Sequence, residues 1–313
     1  MAFNEYLYRV KQLNSSVTIK EASAYEGVHF VELFNKYYSR KTSLAYFKWQ
    51  FFESPFESRL FTAYEEGKLI GFYGIKIYKL SNNILTGFAI DFLVDEAYRK
   101  RGIAYLFEEK ICDFCYTHKV SILTSLPNSF GNAALKALGW SSIAKLDTLI
   151  IDRKDFDHKR LSELLTNQTA HSNDECINFI KTDKYRSWRY DYNPLYNYEL
   201  IEVDESTFSI TKLFTDPGEN IIYGDIVEIV YANDLQKVAM LFEKIGEYMD
   251  ANKVQTITTW ALEHTQLYTL LMLIGFTKMP QERFFCIKLL DENFADLRQI
   301  HNWDIIQSDA EIF

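Results

Sequence analysis

The stretch Gly87–Lys119, GFAIDFLVDEAYRKRGIAYLFEEKICDFCYTHK, joins an apolar strand pattern to a helical one through the turn Arg99-Lys100-Arg101-Gly102-Ile103-Ala104. A helix start ordinarily favours acidic side chains, because its first amides lack intrahelical partners and the macrodipole is positive there. Three cations at that end are unfavourable unless an anion sits among them. Unpaired amides, a residue without Cβ and cationic side chains together make a cradle for phosphate.

Alternation along the preceding strand places Phe88, Ile90, Phe92 and Val94 on one face and Ala89, Asp91 and Leu93 on the other. A carboxylate in so apolar a strand makes Asp91 a candidate general base. A carboxylate satisfied by a neighbouring backbone group or hydroxyl is the plainer alternative, and Asp225, at a similar place later in the chain, favours it.

Outward from this stretch, residues 1–16 read as a loosely held arm. A strand is expected at Ser16–Ala22, then helices at Glu26–Tyr38 and Ser43–Phe52, the second ended by Pro55. Leu60–Tyr64 and Leu69–Leu80 read as strands across the turn Glu65-Glu66-Gly67-Lys68, followed by the strand Leu85–Val94. After the basic turn come a helix to about His118, a buried strand Val120–Ser125, a helix Gly131–Leu138 and a strand Ser142–Ile151. Residues 153–173 are polar and read as a linker.

The pattern then restarts. Tyr46-x-x-Trp49…Pro55 returns as Tyr185-x-x-Trp188…Pro194, and Gly139-Trp140 returns as Gly275-Phe276 at nearly the same offset. Strands are expected at Glu199–Val203, Phe208–Phe214, Ile221–Val230 and Val254–Trp260, and helices at Asp234–Asn252 and Gln266–Ile274. Two markers at nearly constant offset indicate a tandem duplication. The second copy enters its helix through Tyr231-Ala232-Asn233-Asp234, without glycine or arginine, so it repeats the scaffold without the cradle.

Length and composition agree with two globular domains of about 150 residues each. The net charge of −9 argues against nonspecific binding to nucleic acid or an anionic membrane. Cys112 and Cys115 have C-x-x-C spacing but lie within one helical pattern, so buried reduced thiols are expected. His118, His158, His171, His264 and His301 show no metal spacing, and no metal is expected. The N-terminal residues lack an apolar signal core and no run spans a membrane, so a cytoplasmic location is expected.

Strand, Arg99-x-x-Gly102-x-Ala104, then helix resembles the Arg/Gln-x-x-Gly-x-Gly/Ala signature of the GCN5-related N-acetyltransferases (GNAT). Val94-x-x-x-Tyr98-Arg99 and Asn128…Ala134…Gly139-Trp140 fit the same superfamily, over Val17 to Asp152. The paired Trp…Pro helices, the degenerate second half and the tail Trp303…Asp309-x-Glu311 resemble a tandem subgroup, some members of which occur with bacterial surface-polysaccharide genes. The resemblance implies an α/β (α+β) chain of two tandem GNAT-like domains, each a mixed, mostly antiparallel twisted sheet flanked by helices. Residues 1–152 would form the domain with the acetyl-CoA site, and residues 174–313, after the linker, the degenerate one.

The resemblance further implies that the backbone of Phe92, Leu93 and Val94 pairs with the pantetheine arm of acetyl-CoA. The amides of Arg99, Lys100, Arg101, Gly102, Ile103 and Ala104 would take the pyrophosphate, with Asn128 contacting cofactor or an ordered water. Asp91 and Asn128 are the implied catalytic candidates, and Trp49 and Tyr73 candidates for the substrate cleft. Trp49 is a sugar-stacking candidate, with packing against its own sheet as the plain alternative. The tyrosine that often serves as general acid is replaced by Leu135, which leaves water, Tyr73 or Tyr268 as proton source. The implied activity is acetyl transfer to a small amine, such as an amino sugar, by direct attack on the thioester. A non-catalytic acyl-CoA-binding or interaction protein and an aminoacyl-tRNA-dependent transferase of the peptidoglycan-bridge type are the alternatives.

Overall fold

The computed structural model describes residues 3–38, 41–157, 176–215, 220–231 and 234–310. In chain order the first elements are α1 (Phe3–Leu13), β1 (Val17–Glu21), α2 (Gly27–Tyr37), α3 (Leu44–Phe51), β2 (Ser58–Glu65), β3 (Lys68–Lys79) and β4 (Leu85–Val94). They are followed by α4 (Ile103–Thr117), β5 (Ile122–Ser125), α5 (Ser129–Ala137) and β6 (Ser141–Asp152). The later elements are α6 (Asp183–Arg186), β7 (Tyr198–Asp204), β8 (Thr207–Thr215), β9 (Ile222–Val230), α7 (Leu235–Ala251), β10 (Thr256–Thr259), α8 (Gln266–Ile274) and β11 (Thr277–Leu289). The linker expected at 153–173 lies outside the described residues from 158 onward, as does Glu311 of the tail motif.

The chain folds as two compact units, one of Met1–Ala144, Phe179–Leu195 and Phe284–Arg298, the other of Lys145–Asn178, Tyr196–Arg283 and Gln299–Phe313. In the first unit β1, β2, β3 and β4 pair antiparallel in sequence order, β5 joins β4 in parallel, and the end of β11 closes the sheet antiparallel to β5. The β2–β3 turn places Glu66 and Gly67 at φ 51° and 79°, as a two-residue hairpin requires. One core lies beneath α4 and α5 and includes Tyr73, Ile75, Ala89, Phe107, Ile111, Leu135 and Trp140. The other lies beneath α2 and α3 and is largely aromatic, with Phe30, Phe34, Phe47, Phe51 and Phe72 around Leu93. Large aromatic side chains bury the most apolar surface per residue, which accounts for the richness of this chain in Phe.

Two elements depart from the sequence-based expectations. The arm expected at 1–16 is the helix α1, whose Val10 is buried against Leu106 of α4. The strand β11 is an added element whose Cys286–Leu289 segment pairs with Ser125–Ile122. It carries Lys288 to the buried Glu108 of α4: Lys288 Nζ donates to Glu108 Oε1 at 2.5 Å, and Trp140 Nε1 donates to the same oxygen at 2.9 Å. Burial pushes the Glu108 carboxyl up against the opposing pull of Lys288.

Cys112 and Cys115 are thiols on α4, and burial pushes the Cys112 thiol up to about 11.

The second unit repeats the topology with strand order β6-β10-β9-β8-β7, parallel only at β10–β9. Its core packs β9 and β10 against α7 and α8 through Ile226, Leu241, Phe242, Ile257 and Leu271. Asp225 is paired in register with Lys212, and the two side chains form a buried ion pair at 3.1 Å. Phe88 holds that register position opposite Lys76 in the first unit, so Asp225 corresponds to Phe88 and not to Asp91. Its role there is structural: Thr258 Oγ1 donates to the same carboxylate.

Among the described residues no helix is long and apolar enough to cross a membrane, and no cluster of His, Cys, Asp or Glu is placed to hold a metal ion.

Candidate active site

The site is built where β4 parts from β5. The parallel ladder runs from Thr86–Ile122 to Phe88–Thr124, and one further link, from Ser125 Oγ to the carbonyl of Ala89 at 2.8 Å, closes it. Beyond that point β4 continues to Val94 while β5 turns away into α5. Because the strands are parallel, the N-termini of α4 and α5 both lie at the end where they diverge.

The divergence coincides with a β-bulge. Register against β3 slips between Phe72 and Gly74, and Asp91 takes the left-handed conformation at φ 48°. An inserted residue inverts the alternation of everything after it. Ile90 packs on the α2–α3 side and Ala89 beneath α4, but past the bulge Phe92 and Val94 pack beneath α4 while Leu93 joins Phe72. The expected single face of Phe88, Ile90, Phe92 and Val94 is thus broken at Asp91, because simple alternation cannot anticipate a residue at positive φ. Asp91 is half-buried at the bulge itself.

The same geometry divides the backbone groups. The amide of Asp95 donates to Ile70 on β3 at 2.8 Å, so by alternation Leu93 also faces β3, while Phe92 and Val94 face the open edge. Two carbonyls on that edge are already engaged: Tyr38 Oη donates to Phe92 O at 3.2 Å and Arg99 Nε donates to Val94 O at 3.0 Å. Of the three residues expected to offer backbone to a pantetheine arm, Phe92 and Val94 point the right way and Leu93 does not.

At the turn, Lys100 and Gly102 are both left-handed, at φ 62° and 86°. Gly102 is the N-cap of α4 and supplies no side-chain acceptor; the Tyr105 amide donates to the Gly102 carbonyl at 3.0 Å, and Ile103 and Ala104 present the first-turn amides that a helix leaves without an intrahelical partner. A Cβ on Gly102 would come within 2.8 Å of Val10. Ile103 is buried, with Ala104 packed beside it. Arg99 and Lys100 are exposed, the Arg99 guanidinium lying 5.2 Å from the Tyr37 ring centre.

Arg101 is engaged differently: its two terminal nitrogens donate to both oxygens of Glu65, at 2.9 and 2.6 Å. The hydrogen bonds from Arg101 and then Ser16 hold the Glu65 carboxyl at about 2. The turn is braced below by Asp95, whose buried carboxylate takes Lys36 Nζ at 3.0 Å and the amide of Ala97 at 3.1 Å. Burial raises the Asp95 carboxyl, and these bonds outweigh it, leaving the group below its ordinary value.

The remaining predicted residues sit on other elements. Asn128 is exposed and caps α5, its Oδ1 accepting from the Gly131 amide at 2.9 Å. Tyr73 is buried beneath α4, 4.6 Å from the Phe92 ring, and its hydroxyl meets no hydrogen-bond partner among the described residues. Burial first, and Glu108 second, push its phenol well above 10. Leu135, in the place of the expected tyrosine, is core. Trp49 is 2% exposed and stacked on Trp188, so it has no open face for a sugar; its burial corrects that expectation. Tyr38, Glu65 and Asn14 are site residues that the motif did not single out, since each reaches the turn or strand across long sequence separations.

The second unit repeats much of this scaffold. Thr259 Oγ1 donates to Ile226 O as Ser125 does to Ala89 O, and the register of β9 slips near Glu228. The helix start differs: Asp234 Oδ1 accepts from the amides of Gln236 and Lys237, so the first turn of α7 is capped by its own carboxylate. An anion already occupies the place where the first unit leaves its amides open.

The acetyltransferase (GNAT) family profile matches residues 28–140. Sequence comparison with curated proteins finds no match. Among solved structures, the chain resembles a glucosamine N-acetyltransferase region in a fungal multi-domain β-N-acetylglucosaminidase (TM-score 0.59, 12% identity), covering 86% of this chain and 38% of that one. It also resembles a probable N-acyltransferase from Enterococcus faecalis V583 (TM-score 0.58, 12% identity, 88% and 72% coverage). A tandem GNAT protein from the clavulanic acid biosynthesis pathway matches with TM-score 0.52 and 11% identity, over 87% of this chain and 98% of that one. The chain thus spans well under half the length of the fungal protein.

Proposed function

We propose, from the match of residues 28–140 to the acetyltransferase (GNAT) family profile, that the chain acetylates a small primary amine with acetyl-CoA as donor, using one cofactor site per chain. The observation that carries this reading is the uncapped start of α4, with Lys100 and Gly102 left-handed, beside a β4 edge that β5 has left.

The residues fit the donor's chemistry at each point. The amides at the open edge, Phe92 and Val94, suit an amide-rich pantetheine arm. The first-turn amides around Gly102 suit a pyrophosphate, with Arg99 and Lys100 adding positive charge. The Arg101 side chain is already paired with Glu65, so its part is to hold the turn. Bound there, acetyl-CoA supplies a thioester carbonyl open to attack by an amine.

The amine must lose a proton for the attack to succeed, and Asp91 at the bulge is the proposed acceptor, directly or through water. Asn128 serves by capping α5. Leu135 offers no proton to the departing thiolate. Tyr73, held well above 10, keeps its proton and can donate a hydrogen bond. It is a poor acid towards a thiol of ordinary pKa near 8.5, so solvent supplies that proton.

An amino sugar is the proposed acceptor class, supported by the likeness to the fungal glucosamine N-acetyltransferase region. Release of free thiol from acetyl-CoA across a panel of amines that includes glucosamine tests the reading. Amine-dependent release supports transfer; cofactor binding without release by any amine would favour a binding protein, which the replacement at Leu135 would then explain.

A further inference from the structure

The helix α1 precedes the first strand and reaches the phosphate-binding turn from outside it. Asn14, at the end of α1, is 2% exposed, and its Nδ2 donates to Val10 O and to Arg101 O, both at 2.8 Å. Two residues on, Ser16 Oγ donates to Glu65 Oε1 at 2.6 Å, the carboxylate that grips the Arg101 guanidinium. Arg101 is therefore held twice, by its carbonyl and by its side chain, from one short segment. Val10 rests directly on Gly102, leaving no room for a Cβ.

We propose that Asn14 is a positioning residue for the phosphate-binding turn, fixing the Arg101–Gly102 peptide so that its amide faces the ligand. The peptide is trans, since no cis bond occurs among the described residues, and in a trans peptide C=O and N–H point in opposite directions. Anchoring the Arg101 carbonyl on α1 turns the Gly102 N–H away from α1. The turn contains two left-handed residues, Lys100 and Gly102, so this peptide plane has an accessible alternative orientation once the anchor is gone. Donors fixed before the ligand arrives bind more tightly than donors that must first be ordered. This inference rests on the cofactor reading proposed above.

A purely structural alternative is that Asn14 only caps α1. The two are separated by Asn14→Ala, with binding of CoA and of pantetheine, which lacks the pyrophosphate, measured at a temperature where the variant is folded. Calorimetric titration gives the CoA affinity and displacement gives that of pantetheine. A positioning role predicts that CoA binding weakens by up to about tenfold, the worth of one hydrogen bond, while pantetheine binding changes less than about twofold. Equal changes for the two ligands, or no change for either, overturn the proposal. If Asn14→Ala does not fold, Asn14→Ser keeps a donor of shorter reach and is read in the same way. Failure of the wild-type protein to bind CoA would instead overturn the cofactor reading itself.

Discussion

Trp49 and Trp188 hold each other by a reciprocal pair of hydrogen bonds. The indole N–H of Trp49 donates to the carbonyl of Trp188 at 2.8 Å, and that of Trp188 donates to the carbonyl of Trp49 at 3.0 Å. Their rings stack at 4.4 Å and 11°, and the buried Lys76 ammonium lies 4.1 Å from the Trp188 ring centre. The repeated tryptophan is thus a mutual lock between equivalent segments of the two repeats, both within the first unit. Replacing either Trp by Ala is expected to cost about 3–5 kcal/mol. The double variant should cost less than the sum, by about 0.5–3 kcal/mol, because each single change already breaks the shared pair. Chemical denaturation of the four proteins checks this, and additive losses would contradict it.

Gly102→Ala combines two penalties, a left-handed backbone costing roughly 1–2 kcal/mol and a Cβ pressed on Val10. Because Val10→Ala has its own cost as a buried residue, Gly102→Ala should lose less thermal stability in the Val10→Ala background than in the wild type, the remaining loss being the backbone part. No loss on adding Gly102→Ala to Val10→Ala would mean that φ at Gly102 is not strained by a side chain.

The three cations of the turn should separate in function. Arg99→Glu and Lys100→Glu are expected to weaken CoA binding with little change in melting temperature, since both side chains are exposed. Arg101→Gln should act first on stability, because it strands Glu65. Titration calorimetry and thermal melts on the three variants distinguish the two patterns.

The Glu65 carboxyl stands at about 2 in the folded chain, against an ordinary 4.5. A depressed carboxyl contributes stability that is present above its unfolded value and is lost as pH falls through the folded one. The difference in melting temperature between wild type and Glu65→Gln should therefore be constant near neutrality. It should shrink as pH falls below about 4.5 and be gone near pH 2. A difference that grows on acidification would have the wrong sign.

Lys288→Met removes the cation beside a buried carboxylate and should destabilise by about 3–5 kcal/mol. Because burial holds the Glu108 carboxyl above its ordinary value, mild acidification should partly restore this variant by protonating Glu108. Glu108→Gln combined with Lys288→Met should cost less than Lys288→Met alone, and denaturation curves at two pH values check both statements.

Much of the site is legible in the sequence alone. The basic turn, the glycine at a helix start and the contrast with Asp234 are local features, and local backbone chemistry is written in adjacent residues. What escaped depends on distance or irregularity. α1 gains its burial from Val10 on Gly102, a contact that its own periodicity does not announce. The apolar pattern of β11 is broken in sequence by Pro280-Gln281-Glu282-Arg283, and the strand pairs with β5, far earlier in the chain. The bulge at Asp91 leaves no mark in an alternating apolar run, yet it decides which of Phe92, Leu93 and Val94 face the open edge. Trp49 carried an aromatic face that suited a sugar, and only the position of Trp188 shows that face to be taken.

On the proposed reading one helix start, and only one, binds the donor. Calorimetric titration of CoA into the wild-type chain and into the Arg99→Glu, Gly102→Val variant tests it most directly. One site per chain in the wild type, lost in the variant, is the expected result. Two equivalent sites, undiminished binding in the folded variant, or no binding to the wild type would contradict it.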